Sequence, residues 1–308
     1  TPLSEDQPVR KSITSAVLTA SLALAAAPPA PVPVSWLKLI DQLGSYGVAE
    51  VHHATTCRAG APVRRYDVVA LAVDITVNRY GDHDPRGRMY ALESRLTAVR
   101  AAEAASAATR AGKRATTVTT GLQGDAVQPL TLRVRPGECL RVNLRDDLPG
   151  EPATFHLHGV PWRVVSTGRA ATEHEPSAVA RPGGTVSYEW SVPTAEPSAT
   201  HYAHSHGGDD ATARTQTEHG LYAAVVVEPA GSTWSDPRTS ADSPGWDAVV
   251  RRSDGSSFRE FTLFYAEDGD EPYQPLTTDG DFVPLVDDLT GAYKPAARWV
   301  NYRSEPFL

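Results

Sequence analysis

Between residues 129 and 228 the chain is written in short, largely apolar runs broken by turn residues. This pattern restricts the fold more than any other feature. Runs at 129–135, 139–146, 153–158, 160–166, 185–191, 199–206 and 221–228 have the length and β-branched content of strands. Pro136-Gly137, Pro149-Gly150, Gly168 and Pro182-Gly183-Gly184 separate them. Strands this short and this regularly interrupted predict an all-β, antiparallel sandwich or barrel. A further strand is expected between Tyr66 and Tyr80, closed by a turn at Asp82–Gly87. That turn has a D-x-D-x-x-G order but lacks the later acidic ligands of a calcium loop. Residues 89–111 change character. Leu92, Leu96 and Val99 fall at helical spacing in an Ala-, Glu- and Arg-rich stretch, predicting one inserted, solvent-facing helix.

Five of the ten histidines fall in two of the strand runs. Phe155-His156-Leu157-His158-Gly159 ends one run, and His201-Tyr202-Ala203-His204-Ser205-His206 ends another. Residues i and i+2 of an extended strand point to the same face, so each His-x-His presents two imidazoles together. Two such strands side by side would turn four imidazoles toward one spot. Imidazole suits Cu, Zn, Fe and Ni, so the pattern predicts a metal site without naming the metal. His52 and His53 are adjacent and would face opposite ways. His83 and His174 read as loop residues. His201 falls on the strand face opposite His204, and His219 precedes Gly220 at the start of a strand near the cluster. Asp209 and Asp210 follow the second pair and are candidates either for moving protons or for simple surface solvation.

The chain's 308 residues allow one large or two medium domains. A net charge of −8 with no basic block excludes nucleic acid as an expected partner. The two cysteines, Cys57 and Cys139, form no C-x-x-C, and Cys139 reads as a structural thiol or half of a disulfide. Residues 10–27 carry a basic flank and a moderately apolar run ending in small residues. They read either as a signal-like segment, implying an extracytoplasmic or secreted protein, or as an Ala-rich helix packed on the core. The run is too short and too rich in Ser and Thr for a membrane span. Residues 28–34 are a Pro-rich extended linker, and a Pro-, Gly-, Ser- and Asp-rich connection follows residue 229. Phe258–Tyr265 begins a new strand, and too few strands follow to close a second sandwich.

With these residues in place, the chain resembles the multicopper oxidases, the family of laccases, ceruloplasmin and bacterial manganese oxidases. Thr154-Phe-His-Leu-His-Gly159 is similar to that family's first H-x-H-G motif, and His201–His206 to its second. His219–Pro229 and Arg181–Trp190 are similar to neighbouring strands of the family. Val68–Glu93 and Ala297–Pro306 look more narrowly like the large bacterial manganese-oxidase type. The resemblance implies a cupredoxin-like Greek-key sandwich over 64–230, after an N-terminal segment and linker over 1–63. A linker over 231–257 and the beginning of a second, incomplete cupredoxin-like domain over 258–308 would follow. It implies copper as cofactor and O2 as co-substrate, with His156 on a type 2 copper and His158, His204 and His206 on the type 3 pair. The four histidines would then be both the catalytic and the cofactor-binding residues. The family's two further His-x-His pairs and its His-Cys-His motif, whose thiolate holds the type 1 copper, are not found in these 308 residues, and the only methionine is Met89. The resemblance therefore implies a second polypeptide or a C-terminal continuation carrying them. The reducing substrate, a metal ion such as Mn, Fe or Cu or else a phenol, would be oxidised at that type 1 copper. The alternative is a non-catalytic copper- or zinc-binding cupredoxin-like module.

Overall fold

The structure, a computed structural model, describes residues 16–22, 57–78, 83–111, 126–158, 163–164, 179–242, 245–267 and 298–303. His52, His53, His174 and the Pro-rich linker lie outside the described residues. Two sheets form a β-sandwich. The first joins β2 (Val63–Ala72), β5 (Arg88–Leu92), β7 (Cys139–Asp147), β9 (Arg163–Val164) and β10 (Thr185–Ser191) in the order β5-β2-β7-β10-β9. The second joins β6 (Leu130–Val134), β8 (His156–Leu157), β11 (Ala199–His204) and β12 (Tyr222–Val227) in the order β6-β12-β11-β8. A two-stranded pair, β3 (Ile75–Thr76) and β4 (His83–Asp84), follows β2. The sandwich is mixed rather than wholly antiparallel, because β2 runs parallel to β7 and β6 parallel to β12. Parallel neighbours require crossovers, and the segments leading from β2 to β7 and from β6 to β12 supply them.

Between the sheets lies a core of Val68, Leu140, Val142, Leu144 and Trp190 from one side and Leu132, Val134, Ala203, Val225 and Val227 from the other. Alternate residues of the same strands face a second core. Val69 and Leu71 of β2 and Tyr222 and Ala224 of β12 meet Met89, Ala91 and Val99 there. Because β2 and β12 are buried on both faces, their sequences run nearly continuously apolar instead of alternating.

The second core is closed by a third sheet. It orders β1 (Ala16–Leu22), β15 (Ser257–Glu267), β14 (Asp247–Arg251) and β13 (Thr233–Ser235), with β16 (Arg298–Val300) also on β15. Ala16–Leu22, weighed in the sequence as a signal-like segment or a packed helix, is thus a strand paired along its whole length with β15. Phe264, Ala266, Trp299 and Tyr302 enter the second core, so the strand begun at Ser257 packs directly against the sandwich. Asn301 and Tyr302 both have positive φ, 51° and 63°. The Asn301 side chain holds this bend by accepting from Phe264 N–H at 2.7 Å and donating to the Thr262 carbonyl at 3.0 Å. The Tyr302 hydroxyl then donates to the Gly220 carbonyl at 2.5 Å.

The helix expected over 89–111 begins later than its spacing suggested. Arg88–Leu92 is strand β5, paired antiparallel with β2, and a short 3-10 turn at Glu93–Arg95 leads into α1 (Leu96–Ala111). Met89, Tyr90 and Ala91 are buried between sheet and core, a gain that outweighs their helical periodicity. A second helix, α2 (Asp210–Glu218), was not anticipated. Its sequence mixes three threonines with the helix formers Ala, Arg, Gln and Glu, and the Asp209 side chain caps it by accepting from Thr212 N–H at 2.8 Å.

Two covalent and ionic ties fasten this arrangement. Cys57 and Cys139 form a disulfide across 82 residues, anchoring the segment before β2 to the start of β7. Arg133 of β6, fully buried, pairs with Glu228 just past β12 and with Glu260 of β15, the latter at 2.5 Å. Its Nη2 also donates to the Gly245 carbonyl at 3.1 Å. One cation thus binds the sandwich to the third sheet through two carboxylates. Burial, with the neighbouring Glu260 charge adding to it against Arg133, pushes the Glu228 carboxyl up to about 7.

Cross-linking a loop of this length restricts the unfolded chain, so a Cys57→Ser/Cys139→Ser variant should lose about 2–5 kcal/mol of stability in urea unfolding. An unchanged midpoint would rule out the bond as a stabilising tie. Glu228 holds its proton in the folded state up to about 7 but releases it near 4.5 when unfolded. Its contribution is therefore fully present below 4.5 and is lost as pH rises through 7. Glu228→Gln should flatten the decline in unfolding midpoint across that window. An identical slope in both proteins would exclude Glu228 as its source.

Candidate metal centre

The two His-x-His runs meet at one end of the second sheet. β8 pairs antiparallel with β11 so that His204 lies opposite His156 and Ala203 opposite Leu157. His158 N–H continues the ladder to the Tyr202 carbonyl at 2.8 Å. Beyond the ladder, two hydroxyls extend it: His206 N–H donates to Thr154 Oγ1 at 2.7 Å, and Thr154 N–H donates to Ser205 Oγ at 3.2 Å. Phe155, Leu157 and Ala203 point into the core between the sheets, which commits His156, His158, His204 and His206 to the opposite face. Gly207 is required at the exit of this strand. A Cβ there would stand 2.0 Å from the Pro152 carbonyl oxygen, so only glycine lets the turn after His206 lie against the segment leading to His156.

All four predicted site residues are thereby brought together. His158 Nε2 lies 2.7 Å from His204 Nε2, and His206 Nε2 lies 3.1 Å from the same atom. One ring nitrogen each from His156, His158 and His206 falls within a 4.8 Å set. Each of the four is half-buried. The His158 and His204 rings stack at 4.8 Å with an interplanar angle of 9°, and Tyr202 stacks on His204 at 5.1 Å. Burial first, and then the neighbouring His206 and His158, holds His204 well below the usual imidazole range. A neutral imidazole keeps a lone pair for a metal, so the arrangement favours the ligating form.

The other histidines separate from this group. His219 is buried and bonds Asp84 Oδ2 through Nδ1 at 2.5 Å, so that atom is committed to β4 and not to a cluster imidazole. His83 pairs with Asp74 Oδ1 at 2.7 Å. His201 is half-buried on β11, on the face away from His204, and burial lowers its proton affinity. Asp209, considered for proton movement, caps α2 through Oδ1. Among the described residues a second group of three possible ligands, Cys57, Cys139 and Glu189, is disabled by the disulfide. A polar groove of about 660 Å³ lies on the other sheet, lined by Arg65, Asp67, Arg141, Arg145 and Glu189, with Arg65 and Asp67 paired within β2 and Arg141 and Glu189 paired between β7 and β10.

Two residues that shape the site carry no signal of their own in the sequence. Thr154 and Thr217 are ordinary threonines until β11 and α2 place them against His206 and His204. Thr154 directly precedes the first motif, which is the one clue it offers.

The described residues form a mixed β-sandwich that presents two His-x-His pairs at one end of its second sheet. Residues 104–232 match the family model described as multicopper oxidase. Both histidine pairs lie inside that segment. Among solved structures, the chain is similar to a multicopper oxidase at 22% identity and a TM-score of 0.35, covering 57% of this chain and 46% of the other. A multi-copper oxidase from Pseudomonas thermotolerans shares 21% identity over 55% of this chain and 30% of its own, with a TM-score of 0.35. A copper nitrite reductase from Nitrosomonas europaea shares 15% over 54% and 42%, also at 0.35. The chain spans less than half the length of each of these structures. No curated protein sequence matches it.

Gly207→Ala should cost about 1–3 kcal/mol through overpacking against Pro152, read as a lowered urea midpoint. A variant as stable as the parent would show that the turn after His206 is not held there.

Proposed function

We propose that this chain contributes half of the trinuclear copper cluster of a multicopper oxidase, at which O2 is reduced to water while a reducing substrate is oxidised at a type 1 copper carried elsewhere. The observation that carries this reading is the approach of His158 and His206 to His204 Nε2, at 2.7 and 3.1 Å, inside the segment that matches the family. Four imidazoles, with His204 held toward its neutral form, are a donor set that suits copper. In this reading His156 holds the type 2 copper, and His158, His204 and His206 hold the type 3 pair. Copper, when bound, supplies the one-electron steps that add up to the four electrons and four protons needed to take O2 to two waters. The chain's own residues orient the donors: the β8–β11 register aims the imidazoles, Tyr202 stacks behind His204, and the core behind Leu157 and Ala203 fixes both strands.

Four imidazoles on one face leave the opposite side of the cluster to a partner. The complement is a second polypeptide or a continuation of this one, bearing two further His-x-His pairs and a His-Cys-His motif. The type 1 copper and the substrate, a metal ion such as Mn, Fe or Cu or a phenol, belong to that part. The Cys57–Cys139 disulfide suits an oxidising compartment, which supports an extracytoplasmic or secreted location. A second reading is a non-catalytic copper- or zinc-binding module. It is favoured by the close grouping of His156, His158 and His206, which is already a three-imidazole site.

Copper content, electron paramagnetic resonance and O2 uptake would be measured for the full chain alone and for its assembly with the complementary part. Type 2 and type 3 signatures with O2 consumption, abolished by His158→Ala or His204→Ala, are the expected result. A single metal per chain, with no O2 uptake in the assembly, would replace the oxidase reading with the module.

A further inference from the structure

The hydroxyl of Thr217 sits on the last turn of α2 with two neighbours. Its oxygen is 3.0 Å from the Ala213 carbonyl, to which it donates, and 3.3 Å from His204 Nδ1. A threonine hydroxyl carries one proton. A carbonyl oxygen can only accept, so that proton is committed to Ala213, and the oxygen has only lone pairs to offer His204. The hydrogen bond then requires the proton of this imidazole to sit on Nδ1. In a neutral ring that leaves Nε2 with its lone pair bare, and Nε2 is the atom approached by His158 at 2.7 Å and by His206 at 3.1 Å.

We propose that Thr217 is a positioning residue that fixes the tautomer of His204, so that Nε2 is the atom presented to the metal. The proposal rests on the copper reading above only for the identity of that metal. The placement of the proton rests on the contacts of Thr217 with Ala213 and His204, without reference to any metal. α2 carries the hydroxyl to the ring because Asp209 caps its first turn and the following His219–Gly220 turn is pinned by Tyr302. The helix is thereby held where Thr217 reaches the His204 ring. Among ligating histidines, the nitrogen that does not bind the metal commonly donates to a carboxylate, a carbonyl or a water. Here a hydroxyl already committed to a helix carbonyl fills that part.

The test compares the full chain with Thr217→Val, which keeps the shape and removes the acceptor, and with Thr217→Ser, which keeps the hydroxyl. In the metal-free, isotope-labelled protein, imidazole nitrogen NMR above the titration of the ring assigns the tautomer of His204 directly. The Nδ1-protonated form is expected in the parent and in Thr217→Ser, with the Nε2-protonated form appearing in Thr217→Val. Titration with Cu(II) should show about 10–100-fold weaker binding in Thr217→Val, restored in Thr217→Ser. An Nε2-protonated His204 in the parent, or an unchanged tautomer in Thr217→Val, overturns the assignment. Failure of the parent to bind Cu(II) instead sinks the copper reading, while the tautomer measurement still decides the role of Thr217.

Discussion

An extended strand sends successive side chains to opposite faces, and everything at the metal centre depends on that alternation. β8 and β11 bury Leu157 and Ala203 in the core between the sheets, so His156, His158, His204 and His206 have one face left to occupy. A slip of one residue would exchange the two sets, placing imidazoles among leucines and valines at the cost of unpaired buried polar groups. The hydrophobic core therefore sets the register, and the register aims the ligands. Thr154, Ser205 and Gly207 finish the alignment where the regular ladder ends, two with hydroxyls and one by having no side chain at all.

The sandwich is held on its far side by a different kind of interaction. Arg133, Glu228 and Glu260 bring one cation and two carboxylates out of water at the junction of β6, β12 and β15. Buried ion pairs recover little beyond their desolvation, but removing one partner leaves a charge with nowhere to go. The triad thus acts on specificity of docking more than on net stability, since an alternative packing of the third sheet would strand Arg133 in the core. Tyr302 connects the same sheet to the centre through Gly220, just past α2, so the packing of β16 and the placement of Thr217 are mechanically linked.

Chemically, the centre is a set of four imidazoles gathered on one side. Imidazoles this close repel one another when protonated, and burial adds to that cost at His204. A cation that accepts several lone pairs relieves both penalties at once, which is why crowding of ring nitrogens without intervening carboxylates favours a transition metal over a proton network. A complementary set of ligands facing this one would complete the shell, in keeping with the family match of the segment that holds the histidines.

Much of this was legible in the sequence. Strand positions such as 185–191 and the pairing of His156 with His158 and His204 with His206 follow from local alternation, which each residue carries with it. The match of residues 104–232 to the multicopper oxidase model spans the same few motifs. What local pattern could not reveal was decided by partners distant in the chain. Arg88–Leu92 became a strand because β2 offered it an edge and a core, although its spacing read as helix. Asp210–Glu218 became a helix with Asp209 capping it, although its short run between strands gave no helical spacing to read. The parallel pairings, the Cys57–Cys139 bond, the Arg133 triad and the contact of Thr217 with His204 join residues that no periodicity relates. The sequence by itself determined which side chains share a strand face, because backbone geometry dictates it. Only the tertiary structure decided which faces meet, because that depends on how the whole chain buries its apolar surface.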